Sequence, residues 1–185
     1  MKKIVATMIM ATVVANAGIL TPDEKVGNAS VYIGNATLGE YGDSTDAAAI
    51  LIGGNYYYNS GVLFGSTFGL EYAENADELV DNKLMLGINA NFKIGYSFGS
   101  VAKGFGVYGL VDLHYLMYSV EGVNHGSGEK EDEITNASGT GFGVGAEYIF
   151  ENGLLINLSY SSTEMTSDDY KFDYERTLIG VGVTW

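Results

Sequence analysis

Two stretches of this 185-residue chain set residues of catalytic type close together. They are Asp112-x-His114, a carboxylate beside an imidazole, and His125-x-Ser127, an imidazole beside a hydroxyl. A carboxylate–histidine pair orients a general base, but acyl transfer also needs a nucleophile, and Asp112-x-His114 has none nearby. "GTGFGVG" (139–145) has the glycine density of a phosphate loop. That chemistry needs a helix behind the glycines, whereas Gly139, Gly141, Gly143 and Gly145 fall on alternate positions, one face of a strand. "EKEDE" (129–133) lacks the glycine-ordered spacing of a calcium loop, so no metal, cofactor or catalytic residue is assigned.

The elements that carry these residues are strands. No sustained 3.6-residue period occurs, and alternation of period two dominates. Eight strands are expected, at about 28–40, 45–58, 62–74, 83–98, 105–121, 138–150, 154–166 and 171–185. Most are far longer than the usual five or six residues or so. Short connections such as "NSG" (59–61), "GSVAKG" (99–104) and "ENG" (151–153) alternate with the longer acidic "ENADELVDN" (74–82) and "VNHGSGEKEDEITN" (123–136). With an even strand count, all the short turns lie at one end.

Alternation alone does not say which face is inside; the composition of the second face does. Opposite Leu86, Ile88, Phe92, Ile94, Tyr96 and Phe98 stand Gly87, Asn89, Asn91, Lys93, Gly95 and Ser97. A water-facing exterior would be dense in Lys, Glu and Thr. Glycine and small polar residues belong in a narrow interior, so the apolar face points outward, to hydrocarbon. Aromatics band both ends of that face: Tyr56, Tyr58, Phe98, Phe105, Phe150 and Trp185 near the short turns, and Tyr72, Tyr115 and Tyr118 towards the longer loops.

The same alternation places Glu71, Lys93, Asp112, His114, Glu147 and Arg176 inside. Buried charges must pair, so these six are expected to form a polar network filling the barrel. Eight strands leave too little room for a wide water channel.

At the N-terminus, Lys2 and Lys3 precede the apolar "IVATMIMATVV" (4–14) and the small residues "ANA" (15–17). This pattern predicts a signal peptide over 1–17, a short leader over 18–27 and the barrel over 28–185. Cysteine is absent and the single proline is Pro22, consistent with a closed ladder that needs no disulfide staple. Without its signal peptide the chain keeps seven Lys/Arg (9 − 2) against 23 Asp/Glu, a formal charge of 7 − 23 = −16. A rim so acidic repels nucleic acid.

Taken together, the chain resembles the small eight-stranded outer-membrane barrels of the OmpA transmembrane domain and OmpX. The similarity rests on strand pattern and on "SVYIGNATLGEYG" (30–42), a glycine–aromatic first strand. It implies an all-β, eight-stranded antiparallel up-and-down transmembrane β-barrel in the bacterial outer membrane, with short turns on the periplasmic side. Alternating Ile179, Val181, Val183 and Trp185 resemble the C-terminal signal that such barrels present to the barrel assembly machinery, where phenylalanine is the usual last residue. The partners implied are outer-membrane lipid and lipopolysaccharide, that machinery, and an extracellular ligand at 123–137. Three roles stay open: a structural or surface-interaction protein, a narrow or gated porin-like channel, and a lipid-modifying enzyme. For the last, His125-x-Ser127 resembles the spacing of lipid A deacylases, but it sits in a loop and not on the lipid-facing wall.

Overall fold

The computed structural model describes residues 22–38, 44–73, 85–99, 102–123, 130–167 and 171–185. Eight antiparallel strands, β1 (Glu24–Leu38), β2 (Ser44–Tyr57), β3 (Val62–Ala73), β4 (Met85–Phe98), β5 (Gly104–Val123), β6 (Lys130–Ile149), β7 (Leu154–Thr166) and β8 (Lys171–Thr184), close on themselves in sequence order. β1 pairs with β8, so the sheet has no free edge along the barrel wall. Gly27 and Trp185 exchange both backbone hydrogen bonds, at 2.9 and 3.1 Å, and tie the last residue into the seam.

Register sets the shape. The paired row Asn28–Gly53–Thr67–Asn91–Asp112–Gly141–Thr163–Tyr174 returns to β1 at Leu38, a stagger of 38 − 28 = 10 residues. Such a shear on eight strands tilts them by roughly 35–45° and leaves a lumen that side chains can fill.

The two faces divide as the alternation predicts. Phe142 is 72 % exposed on the outer wall, while Asp112 is 0 % exposed inside. Val31, Ile33, Ile50, Phe68, Leu70 and Ile179 also face out, an apolar exterior that only hydrocarbon can solvate.

Two apolar plugs bracket the lumen. Towards the long connections, Met85, Leu116, Met165, Tyr174 and the alanines 36, 47, 49, 73 and 137 pack together. At the short-turn end, Val26, Tyr57, Leu63, Ile149 and Leu155 pack with Ala102, a turn residue tucked into the barrel mouth at φ 59°. The turns themselves place Gly61 (φ 86°) and Gly153 (φ 82°) where only glycine is unstrained.

Three expectations need correction. β1 starts at Glu24, so residues 24–27, expected in the leader, belong to the ladder. The connection expected over 123–136 shrinks to 124–129, because β5 and β6 stay paired up to Val123↔Lys130. Acidic, glycine-flanked sequence reads as loop, yet cross-strand pairing carries the ladder through it. Tyr118, expected in the outer aromatic band, instead packs inside against Phe172, with ring centroids 6.3 Å apart. Expectations for residues 1–21 and for the connections 74–84 and 124–129 fall outside the described residues.

Candidate functional site

Every charged residue expected inside lies inside, and small residues make the space. Across the ladders, Glu71 faces Gly87 and Ala49, Lys93 faces Gly65, Asp112 faces Gly141, His114 faces Gly139, Glu147 faces Gly106 and Arg176 faces Ala36. A long charged side chain therefore leaves its own strand over a neighbour that has little or no side chain, and reaches across the lumen. All six are buried.

They form two clusters. Nearer the long connections, the Arg176 guanidinium bridges Glu71 and Asp112. Tyr174 donates its hydroxyl to Glu71 at 2.5 Å, and Asn89 donates its side-chain amide to Glu71 at 3.2 Å. Thr163 donates to Asp112 at 2.8 Å, and Arg176 donates to Ser161 at 3.0 Å. His114 stands 3.6 Å from Asp112 and sets its ring against Tyr174 edge-on, centroids 5.2 Å apart.

The second cluster is nearer the short turns. Lys93 lies 3.6 Å from Glu147 and 4.6 Å from the centre of the Tyr108 ring, a cation–π contact. Glu147 accepts hydrogen bonds from Asn55 at 3.0 Å and Tyr57 at 2.9 Å, and Tyr108 donates to Asn157 at 2.8 Å. Asn91, bonded to Thr67 at 3.3 Å and Asn89 at 3.4 Å, extends the first cluster through Asn89. A cavity of about 20 Å³, the size of one water, separates Lys93 from Arg176.

The arrangement is a set of paired buried charges. Asp112 is engaged by Arg176 and by the Thr163 hydroxyl, which donates to the carboxylate. Sequence reasoning missed the neutral partners: Tyr57, Tyr108, Tyr174, Asn55, Asn89, Asn157, Ser161 and Thr163. All occupy inward positions of the same alternation, which was the available signal. Ile179, Val181, Val183 and Trp185 line the outer face of β8, away from this column.

Comparison with known proteins agrees with the architecture. The profile of a family described as "Outer membrane protein beta-barrel domain" matches residues 4–185. No curated protein matches the chain. Among solved structures, Neisserial surface protein A superposes with TM-score 0.59 at 15 % identity, covering 89 % of this chain and 99 % of that one. Ail, the attachment invasion locus protein of Yersinia pestis, gives 0.60 at 12 % identity, with 88 % and 99 % coverage. Ail in complex with the heparin analogue sucrose octasulfate gives 0.53 at 14 % identity, again covering 88 % and 99 %. At such identities the likeness is one of fold.

Proposed function

The chain belongs to the outer-membrane β-barrel domain family and resides in the bacterial outer membrane, and from that premise we propose a structural, surface-interaction role without catalysis. The observation that carries it is the lumen: two ion-paired clusters, closed by an apolar plug at each end. A barrel so filled is a rigid post. Its display element is the β5–β6 hairpin. Among the described residues, β4 pairs with β5 as far as Tyr118 and β7 with β6 as far as Ser138, while β5 and β6 run on together to Val123 and Lys130.

That projecting ladder carries Glu121, Glu131, Asp132 and Glu133 against Lys130. Ail is known in complex with an octasulfate. This chain's formal charge of −14 supports the opposite preference, a cationic partner. Its surroundings in this reading are outer-membrane lipid and lipopolysaccharide.

Purified protein in planar bilayers is expected to stay silent, and to bind polylysine through the hairpin but not heparin. Replacing Glu131, Asp132 and Glu133 with serine should abolish that binding. A steady unit conductance would install the channel reading instead. Altered lipid A masses in expressing cells would install the enzyme reading.

The outward row Ile179, Val181, Val183 and Trp185 serves, in the same proposal, as the assembly signal. Deleting Trp185 should lower the yield of folded barrel, and Trp185→Phe should preserve it. Equal yields from the two variants would remove the signal from this row.

A further inference from the structure

The outer wall is not uniform around the barrel. Counted from the short-turn end, β4 presents seven outward positions that are aliphatic or aromatic, at alternate residues from Phe98 to Leu86. β5 presents six such positions and Gly109, from Phe105 to Met117. β7 presents four, Leu154 to Tyr160, before Ser162 and Glu164; β8 presents four, Trp185 to Ile179, before Thr177 and Glu175. Three alternate positions amount to about 20 Å along a strand. Hydroxyls and carboxylates on β7 and β8 therefore stand at a depth where β4 and β5 still meet hydrocarbon.

A groove of about 700 Å³ runs down the lipid-facing wall from this ledge. Thr177 and Tyr160 mark its upper end, Leu158 and Val144 its sides, and Tyr96 its lower end. Gly109 leaves it open: a Cβ there would meet nothing nearer than 3.9 Å. Each flanking strand carries a bulky residue opposite that glycine, Ile94 on β4 and Val144 on β6.

We propose that groove and ledge together hold one membrane lipid with a primary-amine head, an acyl chain in the groove and the ammonium on Glu175. The groove opens into the hydrocarbon layer and its lining is almost wholly apolar, so a hydrocarbon chain is the occupant that solvates it. The ledge selects the head. Glu175 faces out on β8 opposite Ser162, one outward position beyond the Thr177–Tyr160 pair, and among the described residues forms no ion pair. Lys171, the nearby cation on β8, is already bound to Glu164 at 2.8 Å. An acid left without a cation beside an apolar groove complements an ammonium and repels a phosphate-only head.

The test is native mass spectrometry of the full protein released from nanodiscs of equal phosphatidylethanolamine and phosphatidylglycerol. One retained phosphatidylethanolamine per barrel is expected. Gly109→Leu and Ala146→Phe, both filling the groove from outward positions, should each abolish retention. Glu175→Gln should keep the lipid but reduce the preference for the amine head by roughly tenfold, the loss of one modest charge-assisted contact. Heat-modified gel mobility verifies that each variant is a folded barrel. Retention that ignores the groove-filling variants, or that favours phosphatidylglycerol, overturns the proposal. Dimers that Gly109→Leu disperses would overturn it too, in favour of contact between two copies.

Discussion

Lys171 and Arg176 stand five positions apart on β8, and each meets a carboxylate, yet they live in different solvents. Lys171 faces out near the end of the strand, where its partner Glu164 and its own side chain are both mostly exposed. Arg176 points into the lumen, buried with Glu71 and Asp112 and ringed by Tyr174, Ser161 and Thr163. In water, either member of the outer pair can part from the other and be rehydrated, so the pair contributes little. Inside, parting is not available: removing one partner strands a charge away from water. The same two functional groups form an ornament at the rim and a keystone in the bore.

The widest separation of these regimes is expected from Arg176→Met. Glu71 and Asp112 lose their shared cation, and denaturant unfolding in lipid should show a loss of about 3–5 kcal/mol. Adding Glu71→Gln should recover part of it. Stabilisation by Arg176→Met would reverse the inward assignment of β8, and a destabilised barrel that begins to conduct would show that the charge column is what keeps the lumen shut.

The outer wall supplies the mirror experiment. Phe68→Arg puts a guanidinium into hydrocarbon, with an expected cost of about 2–4 kcal/mol at mid-depth, measured the same way. A neutral result would mean that β3 does not meet lipid there. Smallest is Lys171→Met, for which no change in unfolding midpoint is expected, at low or high salt. A clear loss there, vanishing with added salt, would raise the rim pair above its expected rank.

Much of this contrast was legible beforehand, and the reason is parity. A strand has only two faces, so one correct inside/outside decision places Glu71, Lys93, Asp112, His114, Glu147 and Arg176 together. Which carboxylate meets which cation was not legible. That depends on the ten-residue stagger, a property of eight ladders at once that no single strand displays. Tyr118 shows the limit from the other side: its aromatic character suggested the outer band, while its even spacing from Leu116 and His114 already set it inside. The hairpin beyond Tyr118 was hidden for a different reason. Glu, Asp, Lys and Gly are poor strand formers, and only pairing with an equally long partner keeps that stretch extended.

The seam between β1 and β8 bears on how the barrel forms in time. Seven of the eight ladders join strands that follow one another along the chain, and such hairpins can zip locally. The eighth joins Asn28 to Thr184, 184 − 28 = 156 positions apart. Bringing those ends together costs entropy before any of its hydrogen bonds repay the search. Until then the chain is an open ribbon with two unsatisfied edges, each able to recruit a stranger's strand. The reciprocal bonds of Gly27 and Trp185 work as a latch on that ribbon. The speed of closure thus belongs to the first and last strands, while the barrel's durability belongs to the charges in its lumen.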